Sequence, residues 1–240
     1  MTDEIQLTSA LEVELVKHNV SDSDAIWAAR VSTAGERSLD ARNEDPAASR
    51  GLLRFLLRER HGSPFEHGSM TFRVTMPRFV GREQLRHRAG FSYNEESGRY
   101  RKYEPRFYAP GTKRPLVQVG KPGAYEFTFG TPEQHELVTD AYFIAISTAW
   151  QQYNRMLDGG IAREVARGVL NEAILSTMYI TCNPRSLMHY LSLRTKDERA
   201  EKKSYPQWEI EQVARQLEAE FAKLMPITYE AFNDYGRVAP

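Results

Sequence analysis

Apolar and polar positions alternate along "LEVELVKHNV" (residues 11–20), the period of a strand with one buried face. The pattern then lengthens. "SDSDAIWAARVS" predicts a helix through Ala29 capped by Ser21 or Asp22, and "DPAASRGLLRFLLRERH" (45–61) predicts a second, with Asp45 as cap and Pro46 in its first turn. Gly62 and Pro64 break "HGSPFEHGS" (61–69) into a loop. "MTFRVTMP" (70–77) alternates again and reads as a strand, and "PRFVGREQLRHR" (77–88) returns to helical spacing. Residues 99–110 read as extended or irregular, and the Gly/Pro-punctuated segment 111–131 as an exposed excursion. A long helix runs from about Pro132 to Leu157, stopped by Gly159 and Gly160, and a short one covers 162–170. "EAILSTMYITC" (172–182) is apolar and partly β-rich, as a buried strand would be. "NPRSLMHYLSLR" (183–194) predicts a helix capped by Asn183, with Pro184 in its first turn and Leu187, Met188, Leu191 and Leu193 on its core face. A final long helix starts near Pro206. No repeat, low-complexity tract or linker divides the chain, so the pattern predicts one α+β domain over residues 1–240.

Composition sets limits on function. The 240 residues are 41% hydrophobic and 27% charged, ordinary for a globular chain able to bury a core. Lys+Arg and Asp+Glu are both 32, so the basic excess that bulk nucleic-acid binding leaves is missing. Any anion site must be a local concentration of arginine. Cys182 is the one cysteine, which excludes an intrachain disulfide and a cysteine-based metal cluster and fits a reducing compartment. Neither a signal-peptide pattern nor an apolar run of membrane-spanning length is found, so the chain reads as soluble and cytoplasmic.

Four segments carry candidate chemistry. "RHRAGFSYNEESGRY" (86–100) sets Arg86, His87 and Arg88 side by side, then adds Ser92, Asn94, Glu95, Glu96, Ser97 and Arg99. The run is either a polar loop with its charges mutually satisfied, Glu95 or Glu96 with Arg99, or an anion cradle built on paired, charge-assisted hydrogen bonds from arginine. "HGSPFEH" (61–67) is either a structural turn or a small-residue loop gripping a cofactor; its two histidines match no zinc spacing. Arg163 and Arg167 lie four apart on one helix face, solvated or serving an anion. The helix opened by Asn183 carries Arg185, His189 and Arg194, and its starting amides suit a phosphate or a heterocycle edge. No acid cluster for a divalent metal, Walker sequence, GxGxxG after a strand or GxSxG accompanies them. The surplus of arginines and amides suggests a ligand with several phosphates or a flat polar heterocycle.

These segments resemble one family. "RHRAGFSYNEESGRY" is similar to the signature of flavin-dependent thymidylate synthases, and "AARVST" (28–33), "HGSPFEH", "EVARGVL" (164–170), "TCNPRSLMHYLSLR" (181–194) and "PQWEIEQVA" (206–214) follow in the family's order and spacing. The resemblance implies an α+β fold with helices around a mostly antiparallel sheet, assembled as a homotetramer whose active sites lie where subunits meet. It implies FAD as cofactor, NADPH and methylenetetrahydrofolate as co-substrates, and methylation of dUMP at C5. By position, Ser32, His61, Ser63, Arg86, His87, Arg88, Glu95, Asn183 and His189 resemble the flavin-binding set. Glu83, Arg86, Ser97, Arg99, Arg167 and Arg194 resemble the nucleotide-binding set. Arg194 and Ser97 are the residues nearest the chemistry: Arg194 at the uracil edge, stabilising developing negative charge, and Ser97 as a ligand contact rather than a nucleophile. Cys182 ends an apolar strand with nothing nearby to activate a thiolate, and reads as a core residue.

Three departures from the family pattern bear on substrate. Eight residues separate Arg88 from Ser97, one more than in many members, with the addition around Ala89 and Gly90. Asn171 stands where proline is frequent, and His189 where asparagine is common. A UMP C5-methylase of nucleoside (antibiotic) biosynthesis is therefore the alternative. A non-catalytic nucleotide-binding paralogue is a further one, opposed by the intact arginines.

Overall fold

The computed structural model describes residues 4–122 and 124–240; Met1 to Asp3, and Gly123 within the predicted excursion, lie outside the described residues. In chain order the elements are β1 (Gln6–Thr8), β2 (Glu12–His18), α1 (Asp22–Ala34), α2 (Arg50–Arg58), β3 (Met70–Pro77), α3 (Arg78–Gln84), β4 (Phe91–Glu95), β5 (Arg106–Tyr108), β6 (Val117–Lys121), β7 (Ala124–Thr128), α4 (Pro132–Asp158), α5 (Arg163–Ala166), β8 (Leu175–Cys182), α6 (Pro184–Arg194), α7 (Trp208–Leu224) and α8 (Pro226–Asp234). Helices accompany sheets with antiparallel pairing, consistent with an α+β fold. No helix among the described residues is long and apolar enough to cross a membrane.

Strands β2, β3, β8 and β4 pair in that order. Hydroxyls of Thr71 and Thr181, and of Thr75 and Thr177, share hydrogen bonds at 2.9 Å. Rising numbers on β3 meet falling numbers on β8, so the two run antiparallel. The alternation in "MTFRVTMP" does not mark a solvent face. All of β3 except Arg73 is buried, and these threonine pairs satisfy its polar side. β6 and β7 form an antiparallel hairpin inside the predicted excursion, while β1 and β5 pair in parallel.

The contacts divide the chain into two compact units: residues 1–12, 75–85 and 94–178, and residues 13–74, 86–93 and 179–240. In the first, Phe107, Ile146, Trp150, Tyr153, Ala166, Leu170 and Ile174 form a core under α4. In the second, α7 buries Ile210, Val213, Ala214, Leu217 and Phe221, the i, i+3, i+4, i+7, i+11 stripe of an amphipathic helix.

Caps explain several boundaries. The Ser21 hydroxyl accepts from the Asp24 amide at the start of α1, and Asn183 Oδ1 accepts from the Ser186 amide at 2.8 Å at the start of α6. α1 runs five residues past its expected end. Asp45 does not cap α2: its carboxylate accepts the Ala47 amide within a turn, and the helix begins at Arg50. On α6 the core face includes Tyr190, fully buried, while Leu193, expected there, is exposed. β4 is a strand inside the polar stretch 86–100, where no strand was expected.

Candidate active site

Most of the residues that the resemblance assigns to flavin fall in the second unit. The loop of His61 and Ser63 packs against α6, where Arg185 bonds Glu66 at 2.5 Å and the Pro240 carbonyl at 2.6 Å. This approach explains Gly62: a Cβ there would meet Arg185 Nε at 2.4 Å. His61 and Ser63 are exposed; His61 packs edge-on to Phe55, and the His67 ring lies tilted 5.9 Å from Trp27. Among the described residues no three His, Cys, Asp or Glu side chains gather as a metal site. Ser32 is exposed near the end of α1, its hydroxyl donating to the Ala29 carbonyl. Asn183 caps α6, and His189 is exposed one turn and a half further on.

The segment after α3 turns sharply. The Phe91 amide bonds the Arg88 carbonyl at 3.2 Å, and Gly90 sits third in the turn with φ +68°. A Cβ on Gly90 would lie 2.0 Å from Ser186 Oγ and 3.0 Å from Asn183 Nδ2. This stretch is a tight turn seated on the first turn of α6. Gly90→Ala should lower stability by about 1–2 kcal/mol, the cost of a left-handed non-glycine residue, with further loss from the contact with Ser186. A denaturant titration reads this; an unchanged midpoint would show that the turn re-forms without strain. Arg86 and Arg88 are exposed on this segment and make no ion pair among the described residues.

His87 between them behaves differently. It is buried, only 8% exposed, with its ring 4.7 Å edge-on from Tyr190 and 6.0 Å from Phe91. Tyr93 donates its hydroxyl to the His87 carbonyl at 2.8 Å. Arg194 donates its Nε–H to His87 Nε2 at 2.9 Å. An imidazole that accepts at Nε2 carries its proton on Nδ1 and is neutral. Burial, then Arg194, then His189, push His87 down to about 4. The unfolded chain takes up this proton near 6.5 and the folded chain only near 4. Stability from this group is therefore complete above about pH 6.5 and declines as pH falls toward 4.

The first unit holds the remaining nucleotide-set residues and Glu95. Ser97 opens a turn whose carbonyl accepts from the Tyr100 and Arg101 amides, and Ser97 Oγ accepts the Arg99 amide at 3.3 Å. Arg99 does not pair with Glu95 or Glu96. Its Nε bonds Glu164 of α5 at 3.0 Å, which ties this turn to the helix just before Arg167. Arg167 is half-buried and makes no ion pair among the described residues. Glu83 is half-buried on α3. Glu95 Oε1 accepts from Ser176 Oγ at 2.5 Å, and Glu96 Oε1 from the Thr177 amide at 3.0 Å, both fixing the end of β4 beside β8. Asn171 accepts the Ala173 amide and opens the turn into β8.

Cys182 is buried and free, and burial pushes its thiol up to about 12. A thiol held so far from ionisation is no nucleophile. Cys182→Ala should leave turnover close to that of the parent chain; complete loss of turnover with flavin still bound would give Cys182 a chemical role.

A family model described as thymidylate synthase complementing protein matches residues 14–227. The flavin-dependent thymidylate synthase of Streptomyces coelicolor is 58% identical over 236 residues, covering 98% of this chain and 96% of that protein. The one from Thermotoga neapolitana is 39% identical, covering 93% and 91%. Among solved structures, the UMP/dUMP methylase PolB from Streptomyces cacaoi bound with 5-Br dUMP matches with a TM-score of 0.93 at 51% identity, covering 98% of this chain and 100% of that one. Its structure with 5-Br UMP matches with a TM-score of 0.90 at 49% identity, covering 99% and 100%.

Proposed function

The chain belongs to the flavin-dependent thymidylate synthase family, and from that premise we propose that it methylates dUMP at C5 with methylenetetrahydrofolate and NADPH, using FAD and no cysteine nucleophile. The observation that carries the reading is the extent of the family match: it runs through every candidate residue from Ser32 to Arg194.

The residues present suit a flavin. Exposed Arg86 and Arg88, with no ion pair among the described residues, fit a diphosphate. The Asn183 cap, His61, Ser63, His189 and Ser32 offer polar groups for a flat heterocycle, with Glu95 and His87 beside them in sequence assignment. When bound, reduced FAD supplies the hydride that completes the methyl group. The protein's own work is binding and charge stabilisation. Ser97, Arg99 and Arg167 hold the nucleotide phosphate, with Glu83 and Arg86 as further contacts, and this chiefly orients the pyrimidine. Arg194 meets the uracil edge and stabilises the negative charge that develops as C5 becomes nucleophilic.

The same reading makes the enzyme a homotetramer with shared sites, so residues of the two sets need not come from one copy. Large exposed apolar side chains support this: Leu137 and Ile144 on α4 and Val165 on α5 are each at least 60% exposed. We take residues 1–240 as one catalytic domain, since β3, β4 and β8 each have residues in both compact units. A cytoplasmic location goes with it, supported by the single unpaired cysteine.

Acceptance of UMP is the second reading, favoured by likeness to a methylase solved with both 5-Br dUMP and 5-Br UMP. The test measures tritium release from C5-labelled dUMP and UMP with FAD, NADPH and methylenetetrahydrofolate. Release from dUMP is expected, and the ratio to UMP decides between the readings. No release from either would defeat both. Purified protein should be yellow and bleach with NADPH under anaerobic conditions.

A further inference from the structure

The signature arginines draw attention, but the residue between two of them is the unusual one. Arg86 and Arg88 are exposed, while His87 is buried and bonded to a side chain 107 positions along the chain. An arginine at a helix end swings freely about its Cδ–Nε bond unless Nε–H has a partner. Arg194 closes α6, and its Nε–H is held at 2.9 Å by a buried imidazole packed against Tyr190 of α6 and Phe91 of β4.

We propose that His87 is the positioning residue for Arg194: by accepting Nε–H at Nε2 it fixes the plane of the guanidinium that meets the pyrimidine. The inference rests on the assignment of Arg194 to the uracil edge made above. A protonated imidazole has no lone pair to offer and would repel the guanidinium. Burial and the neighbouring Arg194 and His189 of α6 oppose that charge, while the nearby Tyr190 ring and the Tyr93 hydroxyl, which donates to the His87 carbonyl, bring no anion to balance it. A fixed guanidinium plane matters because the donors must already face the site where negative charge appears. Displacement of such a group by about 1 Å can cost on the order of 100-fold in rate.

The test compares His87→Phe, His87→Gln, Arg194→Ala and the His87→Phe/Arg194→Ala double variant, each as the FAD-loaded enzyme. His87→Phe keeps an aromatic ring against Tyr190 and removes the acceptor; His87→Gln restores an acceptor oxygen. The expected result is a kcat about 10- to 100-fold lower for His87→Phe at saturating FAD, with partial recovery in His87→Gln. The decisive comparison is the cycle. Once Arg194 is alanine, adding His87→Phe should change kcat by less than about twofold, because the two groups act as one. Parent-like kcat in His87→Phe, or a further large drop in the double variant, overturns the inference and leaves the proposed reaction standing. If His87→Phe does not fold, His87→Ala takes its place in the cycle: a kcat at least about 10-fold lower that disappears in the Arg194→Ala background supports the acceptor role, and a parent-like kcat or an equal drop in both backgrounds overturns it. No tritium release by the parent from dUMP or UMP removes the reaction and the inference with it.

Discussion

Arg194→Ala should lower turnover by about 100- to 1,000-fold at saturating dUMP, the usual effect of removing one preorganised donor to developing negative charge. Two features of the residue make the effect kinetic rather than structural. Arg194 is only half-buried, and it sits in the last turn of α6, so alanine leaves no large cavity and retains helix propensity. Its loss removes a cation beside His87 and relieves part of what keeps that imidazole neutral. The melting temperature should therefore shift by a few degrees at most. Lysine should not rescue, because a point charge on a flexible stem lacks the planar fork and the Nε–H that His87 accepts. Steady-state kinetics beside thermal melts read both. If the variant unfolds, or turns over within a few-fold of the parent, Arg194 is a structural residue.

Arg237→Ala should have the largest effect on stability, about 3–5 kcal/mol, without touching a candidate site residue. Arg237 is 1% exposed and held at φ +52°. Its Nη2 donates to Glu218 Oε1 at 2.6 Å and Thr195 Oγ1 at 2.9 Å, its Nη1 bonds Asn233 and lies 3.4 Å from Asp197 Oδ2. Removing the guanidinium strands the buried Glu218 carboxylate, which keeps Arg215 and the Tyr229 hydroxyl among the described residues. The lower end of the range applies if those two partners re-solvate Glu218 well. Asp197 adds a pH dependence. Its hydrogen bonds to Arg199, backed by Arg237, hold its carboxyl well below the usual carboxylate range, so its contribution is present near neutrality and lost as pH falls through the acid range. Denaturant titrations at neutral pH test the main claim; a shift under 1 kcal/mol would mean that water replaces the guanidinium.

Sequence periodicity went furthest where the spacing of apolar residues stays regular over a whole element. β2, β3, β8, α4 and α6 stand where their spacing places them, and the Asn183–Pro184 start of α6 was legible because cap chemistry is local. Failures came where local signals compete or the partner is distant. β4 hides in "FSYNE" because it lies in a stretch rich in charged and polar residues, and what makes it a strand is pairing with β8, a segment some 80 residues away. Asp45 and Pro46 imitate a helix start so well that a turn was missed. The site residues themselves were legible by resemblance, but not their states. No sequence rule separates a buried neutral His87 from its exposed arginine neighbours, and none anticipates that Arg99 pairs with Glu164 instead of with its own loop.

Cys182 also has a practical consequence. As the chain's one cysteine, buried at the end of β8, it is closed to thiol reagents while the surrounding fold is intact. Labelling can then report only molecules that have opened around β8 and α6. Its rate, followed with and without dUMP and FAD, becomes a clock for how often that region opens and how far ligands suppress the opening. No probe has to be engineered in, because the unreactive thiol already serves as one.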